Sequence, residues 1–376
     1  MEDKKMKIRT CLKLSVIALT GVLSFIVITG CGATPESTES TVENISAEGQ
    51  SSDEAATSQD NSSDESTIKD TSAPESVTDK SDEATGFAEI AKEELPAFED
   101  KIPVKFISPL YKDSGKIEEI SYTTKDYFGD ESEITKPAFV YLPNGYSEDK
   151  QYNVLYLMHG IGGNEREWGM YDATSKVKAI MDNLAANGYI DPFIVVAVNG
   201  RSCTDFANTN GDYNSFYCFG KELRNDLIPY IDEHYSTYAE YNAEGYDLTA
   251  ARDHRAMAGL SMGGMQTINI GMCECLDILS YFGAFSAAPT TYSSSQIATE
   301  LEKFEDYNVN YFYAVCGTED GVALNSAKAA VTGLTTACDK FIEEENFTWQ
   351  TVKGAHDFNV WYLGYYNFAK NVFRKN

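Results

Sequence analysis

The chain has 376 residues, enough for one large α/β domain with additional segments, and a formal net charge of −28. The acidic surplus is uneven: residues 1–31 carry +3, residues 32–100 carry −16 and the remainder −15. So acidic a domain excludes nucleic acid and polyanionic substrates, because phosphate recognition needs basic patches, and suits a neutral polymer or a small ester.

The N-terminus begins with Lys4, Lys5, Lys7, Arg9 and Lys13, followed by an apolar stretch from Leu14 to Ile28 and then Ile28-Thr29-Gly30-Cys31. This order is that of a secretory signal. Its end resembles a bacterial lipobox, with cleavage before Cys31 and lipid on that sulfur. A plain signal peptide is the alternative; the apolar run is short for a spanning helix. The reading predicts an extracellular protein touching the bacterial membrane only through its lipid. Residues 32–95 are rich in Ser, Thr, Glu, Asp and Ala. Such a stretch cannot bury enough surface to offset its ordering entropy, so it is expected to be a disordered tether. The folded domain is then 96–376. Residues 86–115, with Phe87, Leu95, Phe98, Ile102 and Phe106, are expected to pack onto the domain edge.

Lys116 to Thr124 alternates like a strand, and Pro137 to Leu142 is a second, ended by Pro143-Asn144-Gly145. Tyr152 to Met158 is nearly all apolar and runs into His159-Gly160-Ile161-Gly162-Gly163. Residues 174–187 have helical spacing. Phe193 to Val198 is another buried strand, followed by a loop over 199–215 rich in Asn, Asp, Gly and Ser. Lys221 to Tyr235 is an amphipathic helix. Strands are predicted over Arg255–Ala258, Tyr281–Ser286, Tyr311–Cys316 and Thr348–Val352, with helices over 325–345 and Val360–Phe373. Alternating elements with wholly apolar strands imply an α/β fold: a mostly parallel sheet covered by helices on both faces. Of eight cysteines, six fall in the domain; Cys203 with Cys218 is the pair to test for a disulfide, against the reading that most are small buried residues.

Gly259-Leu260-Ser261-Met262-Gly263 matches G-x-S-x-G, the nucleophile elbow, in which a serine sits on a strained strand-to-helix turn. The glycines are required because so tight a turn brings backbone too close for a β-carbon. A serine hydroxyl needs a base, and there are four histidines. His159 shapes a glycine-rich turn, His234 ends a helix, and His254 opens the elbow strand too far back to reach Ser261. His356, between the last strand and the last helix, remains. The acid that orients the base falls between serine and histidine in chain order. Asp320 in Gly317-Thr318-Glu319-Asp320-Gly321 is the choice, with Glu319 the alternative. Asp357, adjacent to the base, is read as loop support. The oxyanion donors are expected to be the N–H groups of Met262 and Ile161. No metal site or cofactor motif is present in the sequence, and none is expected.

Four blocks together resemble the esterase-D-like branch of carbohydrate esterase family one, of the α/β-hydrolase superfamily. They are His159-Gly160-Ile161-Gly162-Gly163 with Trp168, Ala258 to Gly264, Gly317-Thr318-Glu319-Asp320, and Gly354-Ala355-His356-Asp357-Phe358-Asn359-Val360-Trp361. The nearest type is the bacterial feruloyl esterase module attached to xylanases, and the resemblance runs from about residue 115 to the C-terminus. It implies cofactor-free hydrolysis of hydroxycinnamoyl esters on arabinoxylan. It matches Asp320 to the family's acid, with Glu319 standing where the family has Asn. The same family includes acetylxylan esterases and mycolyltransferases, so substrate does not follow from fold. Trp168, Phe206, Tyr213, Phe216 and Trp361 lie in loops able to line an acyl cleft, with edge packing the alternative; Gln266, one turn past the serine, is a further candidate contact. The competing readings are a general carboxylesterase, an acyltransferase and an inactive polysaccharide-binding surface protein.

Overall fold

The computed structural model describes residues 96–211 and 213–374. The signal, Cys31 and the tether over 32–95 lie outside the described residues. Eight strands form one sheet: β1 (Lys116–Lys125), β2 (Glu133–Leu142), β3 (Val154–Met158), β4 (Ile194–Val198), β7 (Arg255–Leu260), β8 (Tyr281–Phe285), β9 (Tyr311–Gly317) and β10 (Phe347–Val352). Strands β5 (Glu240–Asn242) and β6 (Gly245–Asp247) make a separate hairpin. The sheet order is β1-β2-β4-β3-β7-β8-β9-β10. Strand β2 runs antiparallel to both β1 and β4, and all other pairs are parallel.

The central strands are apolar throughout because both faces are covered. Successive residues point to opposite faces. Val154, Tyr156, Met158, Ile194, Val196 and Val198 therefore enter one core, and Leu155, Leu157, Val195 and Ala197 enter the other. The first core is closed by the helical run Phe219–His234, the elbow helix and the helices Ser294–Leu301 and Leu324–Val331. The second is closed by Lys176–Ala186 and Phe358–Asn371.

The helical run Phe219–His234 contains a π turn at Leu223–Leu227, where Ile228 N–H reaches back to the carbonyl of Leu223. It precedes Pro229, which has no N–H to give to a regular ladder. The helix expected over 325–345 is shorter. It stops at Val331, Gly333 takes a left-handed φ of 74°, and one turn follows at Leu334–Ala337. Thr332 is extended and Gly333 favours the turn, so the sequence there resists a continuous helix. The hairpin Glu240–Asp247 has no apolar run to announce it.

The edge segment straps onto the last helix. Phe98 stacks on Tyr313 with centroids 5.4 Å apart, and Phe106 is buried against Tyr366. Glu99 N–H donates to Asn367 Oδ1 at 3.0 Å, and its carboxylate accepts from Tyr366 O–H at 2.8 Å. Lys370 Nζ donates to Pro96 O at 2.6 Å. All six described cysteines are free; Cys273, Cys275 and Cys316 are buried. The pair Cys203 and Cys218 forms no disulfide.

Candidate active site

The carboxyl ends of β7, β9 and β10 supply the polar residues. Beyond Leu260, the last residue of β7, the chain turns sharply at Ser261, whose backbone takes φ 51° and ψ −113° before the helix starting at Met262. That is a conformation L-residues avoid. It is held by Ser261 N–H donating to Phe285 O at 2.9 Å and by Ala288 N–H donating to Ser261 O at 3.0 Å. A β-carbon on Gly259 would lie 2.7 Å from Met158 Cβ, and one on Gly263 would lie 2.7 Å from His159 O. Both elbow glycines are thus demanded by close backbone approach.

His356 stands in the loop after β10. Its Nε2 is 3.1 Å from Ser261 Oγ, and its Nδ1 is 2.8 Å from Asp320 Oδ2. A carboxylate only accepts, so Nδ1 carries the proton and Nε2 is left to accept from the serine hydroxyl. Asp320, after β9, is buried and also accepts Val322 N–H at 3.0 Å and Ala323 N–H at 2.8 Å through Oδ1. Burial acts to raise its pKa, but hydrogen bonds from Ala323 N–H, His356 and Ser286 outweigh it and hold the carboxyl below its usual range. Glu319 is exposed and takes no part. Asp357 caps the last helix, accepting Asn359 N–H at 2.8 Å, as loop support should. Of the other histidines, His159 is buried in the turn after β3, His234 Nδ1 pairs with Tyr230 O, and His254 Nδ1 with Asn153 Oδ1.

The loop after β3 has its polar groups almost fully assigned. Gly160 N–H donates to Glu167 Oε2 at 2.6 Å. Gly160 O accepts from His159 Nδ1 at 2.6 Å and from Gly163 N–H at 3.1 Å. The carbonyls of Ile161 and Gly163 accept from the Arg201 guanidinium. The N–H groups of Ile161 and of Met262, the first residue of its helix, meet no acceptor among the described residues.

The structure corrects the expected substrate contacts. Trp168 is 1 % exposed; its Nε1 donates to Met158 O at 2.9 Å and its ring packs on Phe285, Phe358, Tyr362 and Tyr365. It has no surface to offer a ligand. Gln266 is fully buried, and its Nε2 holds the carbonyls of Gly200 and Phe216, each at 2.9 Å. It fastens a loop to the elbow helix. Trp361 is buried edge-on against His356, and Phe216 is buried with Met262, Met265 and Ala288. Of the loop aromatics, Tyr213 is exposed and Phe206 half-buried. The residues that sequence reasoning missed are Glu167, Arg201 and Ser286.

Residues 133–361 match the family model described as putative esterase, well over half of the chain. The chain belongs to this esterase family. A curated relative, the endo-1,4-beta-xylanase/feruloyl esterase of Xylanibacter ruminicola, is 33 % identical over 245 residues, 63 % of this chain and 29 % of the relative. Endo-1,4-beta-xylanase Y of Acetivibrio thermocellus is 40 % identical over 150 residues, 39 % of this chain and 12 % of the relative. The chain thus spans under a third of the length of either. Among solved structures, the CE1 ferulic acid esterase from Anaeromyces mucronatus in complex with ferulic acid superimposes with TM-score 0.59 at 25 % identity. The match covers 74 % of this chain and 98 % of that one. A mutant of the feruloyl esterase module from Clostridium thermocellum complexed with sinapinate gives 0.59 at 27 %, covering 73 % and 95 %. This chain is therefore an esterase with the α/β-hydrolase fold, similar in structure to CE1 ferulic acid esterases.

Proposed function

We propose that the protein is a serine esterase that hydrolyses feruloyl or related hydroxycinnamoyl esters on plant cell-wall xylan. The observation that carries this is the series Ser261 Oγ, His356 Nε2, His356 Nδ1, Asp320, at 3.1 and 2.8 Å, in a chain of this family. Ser261 Oγ attacks the ester carbonyl as its proton passes to His356 Nε2, and Asp320 steadies the imidazolium. The N–H groups of Met262 and Ile161 receive the oxyanion. Collapse expels the alcohol, which takes the proton from His356. Water then adds to the acyl-enzyme through the same base, and the acid leaves as Ser261 regains its proton. The reaction asks for no cofactor. Export and lipid attachment at Cys31 belong to the same proposal and rest on the N-terminal sequence alone.

The burial of Trp168, Phe216 and Trp361 removes three of the aromatics that would have lined an acyl pocket. This favours a second reading, an acetylxylan or general carboxylesterase with the same machinery. The test compares ferulate released from methyl ferulate with acetate released from acetylated xylan, with Ser261→Ala as control. Ser261-dependent ferulate release is the expected result. Acetate release alone would move the assignment to the second reading, and no Ser261-dependent turnover of either would overturn both.

A further inference from the structure

We propose that Arg201 is a positioning residue that sets the oxyanion loop from the end of β4; this rests on reading Ser261 as nucleophile and Ile161 N–H as oxyanion donor. The Arg201 side chain is buried, with residue exposure of 1 %. Its Nη1 donates to Gly163 O at 2.8 Å and its Nη2 to Ile161 O, with a longer bond to Thr209 O at 3.4 Å. The guanidinium lies over the Phe216 ring, 4.7 Å from the centroid. Among the described residues no carboxylate forms an ion pair with it. Burying a charge without a direct ion pair is costly, so the carbonyl dipoles and the ring face, with the more distant Glu167 and Glu165, supply the compensation.

Two of those three carbonyls belong to one short loop, two residues apart. A planar fork that spans both fixes two peptide planes together, which a single ammonium cannot do. The preceding peptide is fixed from the same strand end. His159 Nε2 accepts Gly200 N–H at 2.9 Å, which leaves Nδ1–H to hold Gly160 O. Because that peptide is planar and trans, its other end, Ile161 N–H, points the opposite way. Gly200 and Arg201 therefore grip the loop at the His159 ring and at the carbonyls of Ile161 and Gly163. Glu167 holds Gly160 N–H as a third point. What the grip leaves unspent is a fixed N–H donor on the peptide after Gly160, the glycine whose β-carbon position lies 3.5 Å from Ser261 Cβ. Burial presses the guanidinium pKa down, yet the nearby Cys203, Glu167 and Glu165 oppose this, and the group stays a cation.

An oxyanion donor acts on the transition state, so loosening it lowers kcat with little change in KM. The experiment measures kcat and KM of wild type, Arg201→Ala and Arg201→Lys on one ester, with added guanidinium at low millimolar concentration and with NaCl at equal ionic strength. Arg201→Ala is expected to lose about 100- to 1000-fold in kcat with KM almost unmoved. Guanidinium, but not NaCl, is expected to restore at least about tenfold by refilling the fork site. Arg201→Lys, limited to one carbonyl, is expected to fall between the two. A folded Arg201→Ala with wild-type kcat overturns the proposal. So does a loss carried by KM, or a kcat loss that guanidinium does not relieve. Should Arg201→Ala fail to fold, Arg201→Lys decides by the same split: unchanged kcat overturns the role, and a kcat-only loss supports it. Absence of Ser261-dependent turnover in the wild type would strike the esterase reading instead, so the two failures are distinguishable.

Discussion

The indole of Trp361 meets the imidazole of His356 at right angles, with ring centroids 5.0 Å apart and planes at 88°. Trp361 lies on the first turn of the last helix, whose cap, Asp357, directly follows the histidine. The ring edge restricts the imidazole to the plane in which it reaches both Ser261 and Asp320. Trp361→Phe should keep that wall, while Trp361→Leu should lose about tenfold or more in kcat with KM steady, since small misplacements of a base are costly. Steady-state kinetics on one ester decides it; equal loss in both variants would show that the wall is not what matters.

The strain at Ser261 gives a stability prediction separate from catalysis. At φ 51° a β-carbon is unfavourable, and glycine removes it. Ser261→Gly and Ser261→Ala should both be inactive, but the glycine variant should be the more stable by about 1 kcal/mol. Chemical denaturation of the pair measures this. Equal stability would mean that the elbow stores no strain.

The two candidate acids separate cleanly. Asp320→Asn should lower kcat by about 10⁴, because an amide favours the wrong imidazole tautomer. Glu319→Gln, at an exposed position, should leave kcat unchanged. A strong loss in the Glu319 variant would reverse the assignment.

Much of this was legible in the sequence because the physics is local. Interior strands such as Ile194–Val198 are apolar at every position, and only a strand covered on both faces is. Ser261, Asp320 and His356 follow from motif, elimination and chain order. Trp168 was misread because its flanks, Arg166 and Glu167, are polar and suggest a loop at the surface. Its indole instead turns inward to a carbonyl on β3, a choice made by tertiary packing. Arg201 was invisible as a functional residue for the same reason: its partners are backbone carbonyls about 40 residues earlier, which no side-chain pattern records.

That correction carries its own test. Trp168→Phe removes the bond to Met158 O and leaves part of a buried volume empty. It should cost about 1–3 kcal/mol in stability with KM unchanged. A raised KM with undiminished melting temperature would restore Trp168 to the substrate cleft.

His159 links the site to acid stability. Burial holds its pKa down to about 3 against an ordinary 6.5. Below 6.5 the unfolded chain takes up a proton that the folded one refuses, so stability falls as pH drops through the window between these values. The contribution approaches about 1.4 kcal/mol per pH unit. His159→Gln should flatten the stability–pH curve by that slope, read from denaturation midpoints at several pH values. An unchanged slope would mean that His159 protonates in the folded state.

The strap of residues 96–106 sets where an independently folding fragment can begin. Asn367 and Lys370 are buried, and their polar ends bond Pro96 and Glu99, the Asn367 amide also donating to Gln350 Oε1 at 3.1 Å. A fragment cut just before β1 would keep every strand of the sheet and yet lose the partners of Lys370 Nζ and two of the bonds made by the Asn367 amide. The helix bearing them starts two residues after His356. Trimming the chain at its front would therefore weaken the base carried near its end, and the smallest useful fragment is longer than the sheet alone suggests.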